Sequence, residues 1–177
     1  MKFTPTKISG VYVVDLEKRE DERGFFARAF CVNEFADQDM VTEYKQCNIS
    51  SNYKRGTIRG LHYQIAPHAE TKLIRCLSGR IFDVCVDLRP ASTTYKQWFG
   101  IELSAENYRM LYVPTGFANG YQTLADNSTA YYSSSTVYAP EFERGIRWND
   151  PAFGITWPIT DIVILSEKDK ILPDYKL

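Results

Sequence analysis

Histidine is scarce in this sequence, which contains only His62 and His68. An imidazole has an ordinary pKa of about 6.5, so it is the side chain best suited to take a proton from carbon near neutral pH. His62 stands in the run Arg-Gly-Leu-His-Tyr-Gln at positions 59–64. It is either such a base or a histidine that only hydrogen-bonds within the fold. His68 follows a proline, and we expect it to be a solvated loop residue.

The shortage of histidine also argues against a metal site. Transition-metal sites usually combine several histidines with a carboxylate. The chain has neither an HxH nor an HExxH pair. We therefore expect no metal and no other cofactor, so that any reaction would depend on the protein's own side chains.

A lysine and three tyrosines could supply further proton donors. Lys72 precedes the apolar run 73–77, and a lysine at the start of a strand, taken alone, favours a solvated edge charge. Most tyrosines in an aromatic stretch such as 131–138 simply pack. Because side chains alternate along a strand, Tyr132 and Tyr138 are predicted on one face and Tyr131 on the other.

Phosphate groups would need a local cluster of basic residues. Arginine matches phosphate oxygens in geometry, and the candidates are Arg23, Arg59, Arg75, Arg144 and Lys168. Each of them, taken alone, favours an ordinary surface charge. Neither a Walker-type loop nor a GxGxxG loop is present, so a nucleotide would be held by side chains on strands.

The elements that must position these residues are predicted to be strands. Aromatic residues make up 14% of the chain, a bias typical of pleated strands. The segment 80–88 alternates, with one apolar face and one half-polar face that carries Asp83 and Asp87. Further strands are predicted at 11–15, 25–30, 73–77, 98–103, 109–113, 120–124 and 129–138. Many short strands separated by turn signals predict an all-β sandwich or barrel.

Helical patterns are weak by comparison. Residues 33–38 and 104–107 are each predicted to form a turn or two at most, and 161–169 fits a strand or a buried turn equally well. Glycine and proline fall singly between apolar runs, and no repeat or linker interrupts the chain. The length fits one domain, residues 1–177, with a self-sufficient core.

Charge and cysteine content limit the partners and the compartment. Lys plus Arg number 21 and Asp plus Glu number 22, so no global field attracts nucleic acid or a membrane. No apolar run approaches the roughly 20 residues that span a bilayer, and no apolar leader is visible. The four cysteines form no CxxC pair. We expect reduced thiols in a soluble, cytoplasmic protein.

Motifs along the whole chain closely resemble the dTDP-4-dehydrorhamnose 3,5-epimerase family. In order they are DERGFF (21–26), QCN (46–48), RGLHYQ (59–64), KL (72–73), FDVCVDLR (82–89), VPTGFA (113–118), YAP (138–140), RGIRW (144–148), WP (157–158) and LSEKD (165–169). The resemblance implies a cupin-like jelly roll of two antiparallel sheets, with short peripheral helices and a site inside the barrel. It also implies a homodimer in which N-terminal strands join the partner's sheet and help complete its pocket.

The resemblance also implies roles for individual residues. His62 matches the general base, Asp169 the carboxylate that orients it, and Tyr132 the proton donor on the opposite face. Lys72 matches the cation beside the C4 oxygen of the sugar. The remaining positions that match ligand contacts are Arg23, Gln46, Asn48, Arg59, Tyr138, Glu143 and Lys168.

The implied chemistry explains these residue types. A proton next to a ketone is acidic only because the carbanion spreads onto oxygen, so a fixed cation such as Lys72 must meet the enolate. His62 takes the proton while Asp169 stabilises the imidazolium. Inversion requires a second acid on the other face of the ring, and Tyr132 is the candidate.

Two positions depart from the family's pattern. Asn119 stands where the family commonly has the histidine of a GFAHG motif, and we expect it to bind substrate by donating a hydrogen bond to the C4 oxygen without bringing positive charge. Enolate stabilisation would then depend more on Lys72, and the number of centres inverted stays open. Arg28 stands where the family usually has a ligand-contacting glutamate, so the nucleobase stays open as well.

Four functions therefore compete. The favoured one is a 3,5-epimerase of a nucleotide-linked 4-keto-6-deoxy sugar, and a close variant inverts one centre only. A 3,4-ketoisomerase would move the carbonyl instead. A non-catalytic cupin would bind a nucleotide sugar, or serve as a structural partner, without exchanging substrate protons.

Overall fold

The alternating segments form strands in the computed structural model of the protein, which describes residues 1–176. The strands are β1 (Lys2–Pro5), β2 (Tyr12–Asp15), β3 (Arg19–Asp21), β4 (Gly24–Phe26), β5 (Gln46–Asn52), β6 (Ile58–Gln64), β7 (Lys72–Ser78), β8 (Arg80–Asp87), β9 (Trp98–Ser104), β10 (Met110–Val113), β11 (Phe117–Thr123), β12 (Ser128–Ser134) and β13 (Glu143–Gly145). Two short helices, α1 (Val32–Ala36) and α2 (Glu167–Lys170), and a 3₁₀ turn at Pro140–Phe142 connect or flank them.

The strands build two large antiparallel sheets and a separate hairpin. One sheet has six strands in the order β1-β2-β10-β7-β12-β5, and the other has five in the order β13-β6-β11-β8-β9. Strands β3 and β4 pair only with each other in this arrangement. From β5 to β13 the chain passes repeatedly from one sheet to the other, as it does in a jelly roll. The predicted all-β, cupin-like jelly roll is confirmed.

The space between the two sheets is filled mainly by apolar side chains. Ile74, Leu111 and Ala130 of the six-stranded sheet pack against Ile81 and Cys85 of the five-stranded sheet, and all are buried. Because inward side chains alternate with outward ones along each strand, any polar group on an inward position is forced into this interior. Four residues described below take such inward positions, namely His62, Lys72, Asn119 and Tyr132.

Strand β8 shows the consequence most clearly, because both of its faces are buried. Val84 and Val86 pack on the C-terminal segment around Trp157. The half-polar face points between the sheets and buries Asp83 and Asp87 completely. Asp87 accepts hydrogen bonds from Arg89, Ser92 and Thr94, whereas the second oxygen of Asp83 has no partner among residues 1–176.

Several predicted boundaries need correction. β12 ends at Ser134 and not at Tyr138, because the N–H groups of Tyr138 and Ala139 donate to the side-chain amides of Gln46 and Gln64 and not to a neighbouring strand. The predicted strand 25–30 shrinks to Gly24–Phe26 in a short hairpin. Residues 104–107, by contrast, form a turn as predicted, and reciprocal Ser104–Asn107 hydrogen bonds close it.

The C-terminal segment resolves the ambiguity at 161–169. Ile164 forms an isolated bridge with Thr57, and Ser166 then caps α2 by accepting a hydrogen bond from the N–H of Asp169. His68 lies in a loop, as expected, but it is only partly exposed, because its ring stacks on Phe142 with the ring centroids 4.7 Å apart. Within residues 1–176, no helix is long and apolar enough to cross a membrane, and all four cysteines are unpaired.

Candidate active site

A cavity of about 270 Å³ opens between the two sheets. Strands β6, β7, β11 and β12 and helix α2 all contribute to it, and its charged or titratable lining residues are Arg59, His62, Lys72, Tyr121, Tyr132, Lys168 and Asp169, with Asn119 beside them. A smaller cavity of about 90 Å³ shares His62, Lys72 and Tyr132 and is also lined by Gln46, Asn48, Tyr138 and Glu143. Of the residues that the family resemblance assigns to the site, together with Asn119, all except Arg23 therefore line this composite cavity.

The base candidate is tied to a buried carboxylate. His62 Nε2 lies 2.7 Å from Asp169 Oδ1, and the Asp169 side chain is only 5% exposed. Burial raises the pKa of Asp169, but the hydrogen bond with His62 and its charge outweigh burial and hold the pKa below the ordinary value. The carboxylate is therefore ionised near neutral pH. It fixes a proton on Nε2 and leaves Nδ1 as the nitrogen that can exchange a proton with a ligand.

Tyr132 faces the cavity from the other sheet. It lies on β12 of the six-stranded sheet, whereas His62 lies on β6 of the five-stranded sheet. Burial, and then the nearby negative charge of Glu70, raise the pKa of Tyr132 above its ordinary value, so the phenol keeps its proton near neutral pH. Tyr131 lies on the outer face of the sheet in a separate apolar cavity, which confirms that Tyr131 and Tyr132 face opposite sides. Tyr138, predicted on the same strand face as Tyr132, lies beyond the end of β12.

Lys72 is not a solvated edge charge, so that interpretation is wrong. Its side chain is only 12% exposed, and its Nζ lies 3.1 Å from Glu70 Oε1. The ammonium group also lies 5.8 Å from the centre of the Tyr132 ring. Glu70 is held in turn by a hydrogen bond from Ser134, 2.8 Å long.

Glu70 is a site residue that the sequence analysis missed. It precedes β7 in a loop, where no alternating pattern marks it. The one available signal was its spacing of two residues from Lys72, which places both on one side of an extended chain. In the folded protein it gives Lys72 a counter-charge inside the cavity.

The mouth of the cavity carries a second charged group. Glu143 accepts hydrogen bonds from Lys168 Nζ at 2.6 Å and from the Tyr138 hydroxyl at 2.7 Å. Burial opposes ionisation of Glu143, but these two hydrogen bonds keep its pKa below the ordinary value. Nearby, Gln46 donates to Asn48 over 3.0 Å. These polar groups frame the entrance.

The basic residues proposed for phosphate divide into two sets. Arg59 and Lys168 line the cavity, and Arg59 Nε donates to Asn52 over 2.7 Å. Arg75 lies in the outer apolar cavity, and Arg144 donates to backbone carbonyls on the surface. The arginine clamp that those two residues could have joined is not assembled.

Arg23 and Arg28 lie away from the cavity. The side chain of Arg23 is 84% exposed, and its guanidinium pairs with Asp21 over 2.6 Å. Arg28 pairs with Glu34 over 2.6 Å. Both belong to the N-terminal part of the chain around the β3–β4 hairpin, which does not join either large sheet of its own subunit.

The expected donor role of Asn119 needs correction. Its Nδ2 donates to Asp83 Oδ1 over 2.7 Å and to the Val84 carbonyl over 3.0 Å. An amide nitrogen carries two hydrogens, and both are used here. Asn119 therefore has no N–H left to donate to a ketone oxygen. Asp83, buried behind it, is a second residue that was not assigned to the site from the sequence.

No part of this lining resembles a metal site. Within residues 1–176, no group of three His, Cys, Asp or Glu side chains is placed to hold a metal ion. The arrangement instead surrounds one cavity with an imidazole–carboxylate pair, a protonated phenol and an ammonium group. A cupin-like scaffold with these groups defines a class, that of enzymes with acid–base side chains around one cavity.

The chain belongs to the dTDP-4-dehydrorhamnose 3,5-epimerase family, whose model matches residues 5–176. A dTDP-4-dehydrorhamnose 3,5-epimerase of Sinorhizobium fredii is 41% identical over 173 residues, which cover 98% of this chain and 89% of that protein. A dTDP-4-dehydrorhamnose 3-epimerase of Streptomyces niveus is 36% identical over 171 residues, which cover 96% of this chain and 82% of that protein.

Solved structures give the same result. The crystal structure of dTDP-4-dehydrorhamnose 3,5-epimerase from Bacillus anthracis, with TDP and PPi bound, is 40% identical and superposes with a TM-score of 0.93. The match covers 98% of this chain and 99% of that one. The resemblance inferred from the motifs is confirmed.

Proposed function

We propose that this protein inverts C3 and C5 of a nucleotide-diphosphate 4-keto-6-deoxy sugar of the dTDP-4-dehydro-6-deoxyglucose type. The observation that carries the proposal is the placement of His62 and Tyr132 on opposite sheets around one cavity, with Lys72 beside Tyr132. Inversion needs an acid and a base on opposite faces of a ring. Membership of the epimerase family makes this isomerase activity the expected one.

The reaction begins with proton removal. The bound ketone lies with one face toward His62, whose Nδ1 takes the proton from a carbon next to the carbonyl. Asp169 stabilises the imidazolium that forms, because its carboxylate is buried, ionised and 2.7 Å from Nε2. The electron pair of the broken C–H bond moves onto the C4 oxygen as an enolate.

Lys72 and Tyr132 complete the inversion. The ammonium group of Lys72 stabilises the enolate oxygen, and a preorganised charge is most effective in a site that excludes water. Tyr132 then donates its phenolic proton to the opposite face of the carbon, since a raised pKa keeps that proton in place until the carbanion forms. His62 then releases its proton to solvent and Tyr132 takes one from solvent, after which the same cycle at the second carbon gives the doubly inverted sugar.

Binding of the nucleotide is proposed for the mouth of the cavity. Arg59 and Lys168 can contact the diphosphate, and Gln46, Asn48, Tyr138 and Glu143 surround the entrance. The TDP held by the Bacillus anthracis relative supports a thymidine nucleotide. Because Arg28 replaces the family's usual glutamate, a panel of dTDP-, CDP- and GDP-linked 4-keto sugars tests the base directly.

We propose a homodimer with exchanged N-terminal strands, in which Arg23 belongs to the exchanged part of the chain. The residue lies on an exposed hairpin, and the neighbouring Phe26 side chain is also exposed. An exposed aromatic beside an exposed arginine favours an interface position. In the dimer, Arg23 would reach the partner's pocket. We further propose one domain over residues 1–177, of which Leu177 lies outside the described residues, and a cytoplasmic location.

Deuterium exchange tests the proposed function. The enzyme is incubated in deuterium oxide with each sugar, and incorporation is read by NMR. Deuterium at C3 and C5 is expected, with inverted configuration at both carbons. No incorporation from any sugar of the panel overturns the proposal and leaves the non-catalytic cupin, whereas a shifted carbonyl selects the 3,4-ketoisomerase.

Inversion at C3 alone is the second candidate. It is favoured by Asn119, which replaces a histidine in the site, and by similarity to the Streptomyces niveus protein named as a 3-epimerase. Deuterium confined to C3 selects it.

A further inference from the structure

Asn119 occupies the position beside the base. In the register of β6 and β11, Asn119 lies directly opposite His62, and such partners have Cβ atoms about 4.5–5.5 Å apart. Asn119 also lines the cavity between the sheets. The part of its amide that faces the cavity therefore meets the same region of a ligand as the base does.

The orientation of this amide is fixed by its neighbours. Nδ2 donates to Asp83 Oδ1 and to the Val84 carbonyl, at 2.7 Å and 3.0 Å. The reverse orientation would place the amide oxygen against two acceptor oxygens, so hydrogen-bond chemistry excludes it. Oδ1 is the atom left for a ligand, and it can only accept.

Protonation of Asp83 does not reverse this orientation. Burial raises the pKa of Asp83 to about 7, so the neutral and ionised forms both occur near neutral pH. Oδ2 has no hydrogen-bond partner among residues 1–176 and is the oxygen on which a proton can sit. Oδ1 then stays an acceptor for Asn119, and the Val84 carbonyl is an acceptor at every pH.

We propose that Asn119 is a specificity-determining residue that accepts a hydrogen bond from the C3 hydroxyl of the sugar, and that Asp83 and the Val84 carbonyl hold it in this orientation. The inference rests on the proposed function, which places a 4-keto sugar in the cavity. A ketone oxygen has no hydrogen and cannot use an acceptor. In such a sugar C3 carries a hydroxyl next to the ketone, whereas C5 carries the ring oxygen and the methyl group.

Under this assignment, Lys72 and Asn119 contact different groups of the sugar. Lys72 contacts the C4 oxygen, and Asn119 accepts a hydrogen bond only if the adjacent carbon, C3, carries a donor. A site built to bind a hydroxyl selects against an analogue that lacks it, because the acceptor is then left without a partner. The enzyme is therefore expected to prefer sugars with a donor on C3 over their 3-deoxy counterparts.

A binding cycle tests the assignment without turnover. All variants carry His62→Ala, so that the proposed base is absent and the sugar is not consumed. Calorimetry compares the dTDP-linked 4-keto-6-deoxyglucose with its 3-deoxy and 2-deoxy analogues, with and without Asn119→Ala. Asn33→Ala, an exposed asparagine on α1, is the matched control.

With Asn119 present, loss of the C3 hydroxyl is expected to weaken binding about tenfold. With Asn119→Ala, the ratio of the Kd of the 3-deoxy analogue to the Kd of the parent sugar is expected to fall to about twofold or less. The corresponding Kd ratio for the 2-deoxy analogue stays the same. Asn33→Ala changes neither ratio.

Two results overturn the assignment: an unchanged 3-deoxy ratio after Asn119→Ala, or equal binding of the 3-deoxy and parent sugars when Asn119 is present. The second comparison needs no substitution at position 119, so it decides even if Asn119→Ala fails to fold. Deuterium exchange by the wild-type enzyme tests the proposed function separately, and its failure leaves the binding cycle interpretable.

Discussion

Replacing Asp169 with asparagine perturbs the pair at the centre of the proposed reaction. The wild-type hydrogen bond to His62 is 2.7 Å long, and the carboxylate is 5% exposed, so solvent screens it little. The amide of the Asp169→Asn variant can turn its oxygen toward Nε2 and keep a hydrogen bond, but it cannot offset the charge of the imidazolium. If the amide nitrogen faces the ring instead, Nε2 must become the acceptor and Nδ1 carries the proton, which disables the base.

The magnitude follows from the strength of a charge-assisted hydrogen bond. Such a bond contributes about 1.5–3 kcal/mol, and burial places this one toward the upper end. Since about 1.4 kcal/mol corresponds to a tenfold change in rate, kcat is expected to fall by about 100-fold in Asp169→Asn. Ligand affinity changes little, because Asp169 acts through His62.

The assay is deuterium incorporation followed by NMR under saturating substrate. The matched control is Asp174→Asn, which removes an aspartate from an exposed ion pair with Arg147 in the same C-terminal segment. It is expected to keep kcat within about twofold. A kcat for Asp169→Asn within about threefold of the wild type, with an unchanged melting temperature, would show that the carboxylate does not assist the base.

Three further predictions concern other parts of the molecule. Tyr132→Phe is expected to lower product formation by about 100-fold, while His62 still exchanges solvent deuterium into the unreacted sugar, and NMR measures the two separately. The control Tyr131→Phe, on the outer face, is expected to change neither product formation nor deuterium exchange. Equal loss of both signals in Tyr132→Phe argues against the phenol as the second acid. The pKa of Asp83 is raised from 3.8 to about 7, so the native state binds the proton more tightly than the unfolded state and the free energy of unfolding falls as the pH rises between those values. Denaturant titrations should show this fall, about 4 kcal/mol, as the difference between the wild type and Asp83→Asn across that pH range, and parallel curves refute it. Mixing inactive His62→Ala with inactive Arg23→Ala is expected to restore about a quarter of the wild-type activity through hybrid dimers, whereas no recovery after subunit exchange contradicts the strand-exchanged arrangement.

Much of the fold could be predicted from alternation and turn residues. The segment 80–88 alternates clearly and forms β8, and the weak helical segment 33–38 overlaps α1. Boundaries failed where side chains replace backbone partners, as at Tyr138, whose N–H bonds to Gln46. A pattern of apolar and polar residues does not show where a side chain takes the place of a backbone hydrogen-bond partner.

The site was predictable only in part from the residues themselves. Taken alone, His62 fitted two interpretations and Lys72 fitted the wrong one, and the resemblance to a family was needed to place both in a cavity. Asp169 lies 107 positions from His62, and no spacing rule connects them. Asp83 was seen on a half-polar face, but alternation cannot tell whether such a face meets solvent or a second sheet.

The His62–Asp169 pair is complete only when the short helix α2 is in place. This helix brings Asp169 to His62 from 107 positions further along the chain, and the bridge between Ile164 and Thr57 and the Ser166 cap hold it in place. A chain released from the ribosome before α2 would have its barrel strands and its imidazole but no carboxylate to support it. In the proposed reaction, catalysis would thus begin only after α2 has been made and has docked.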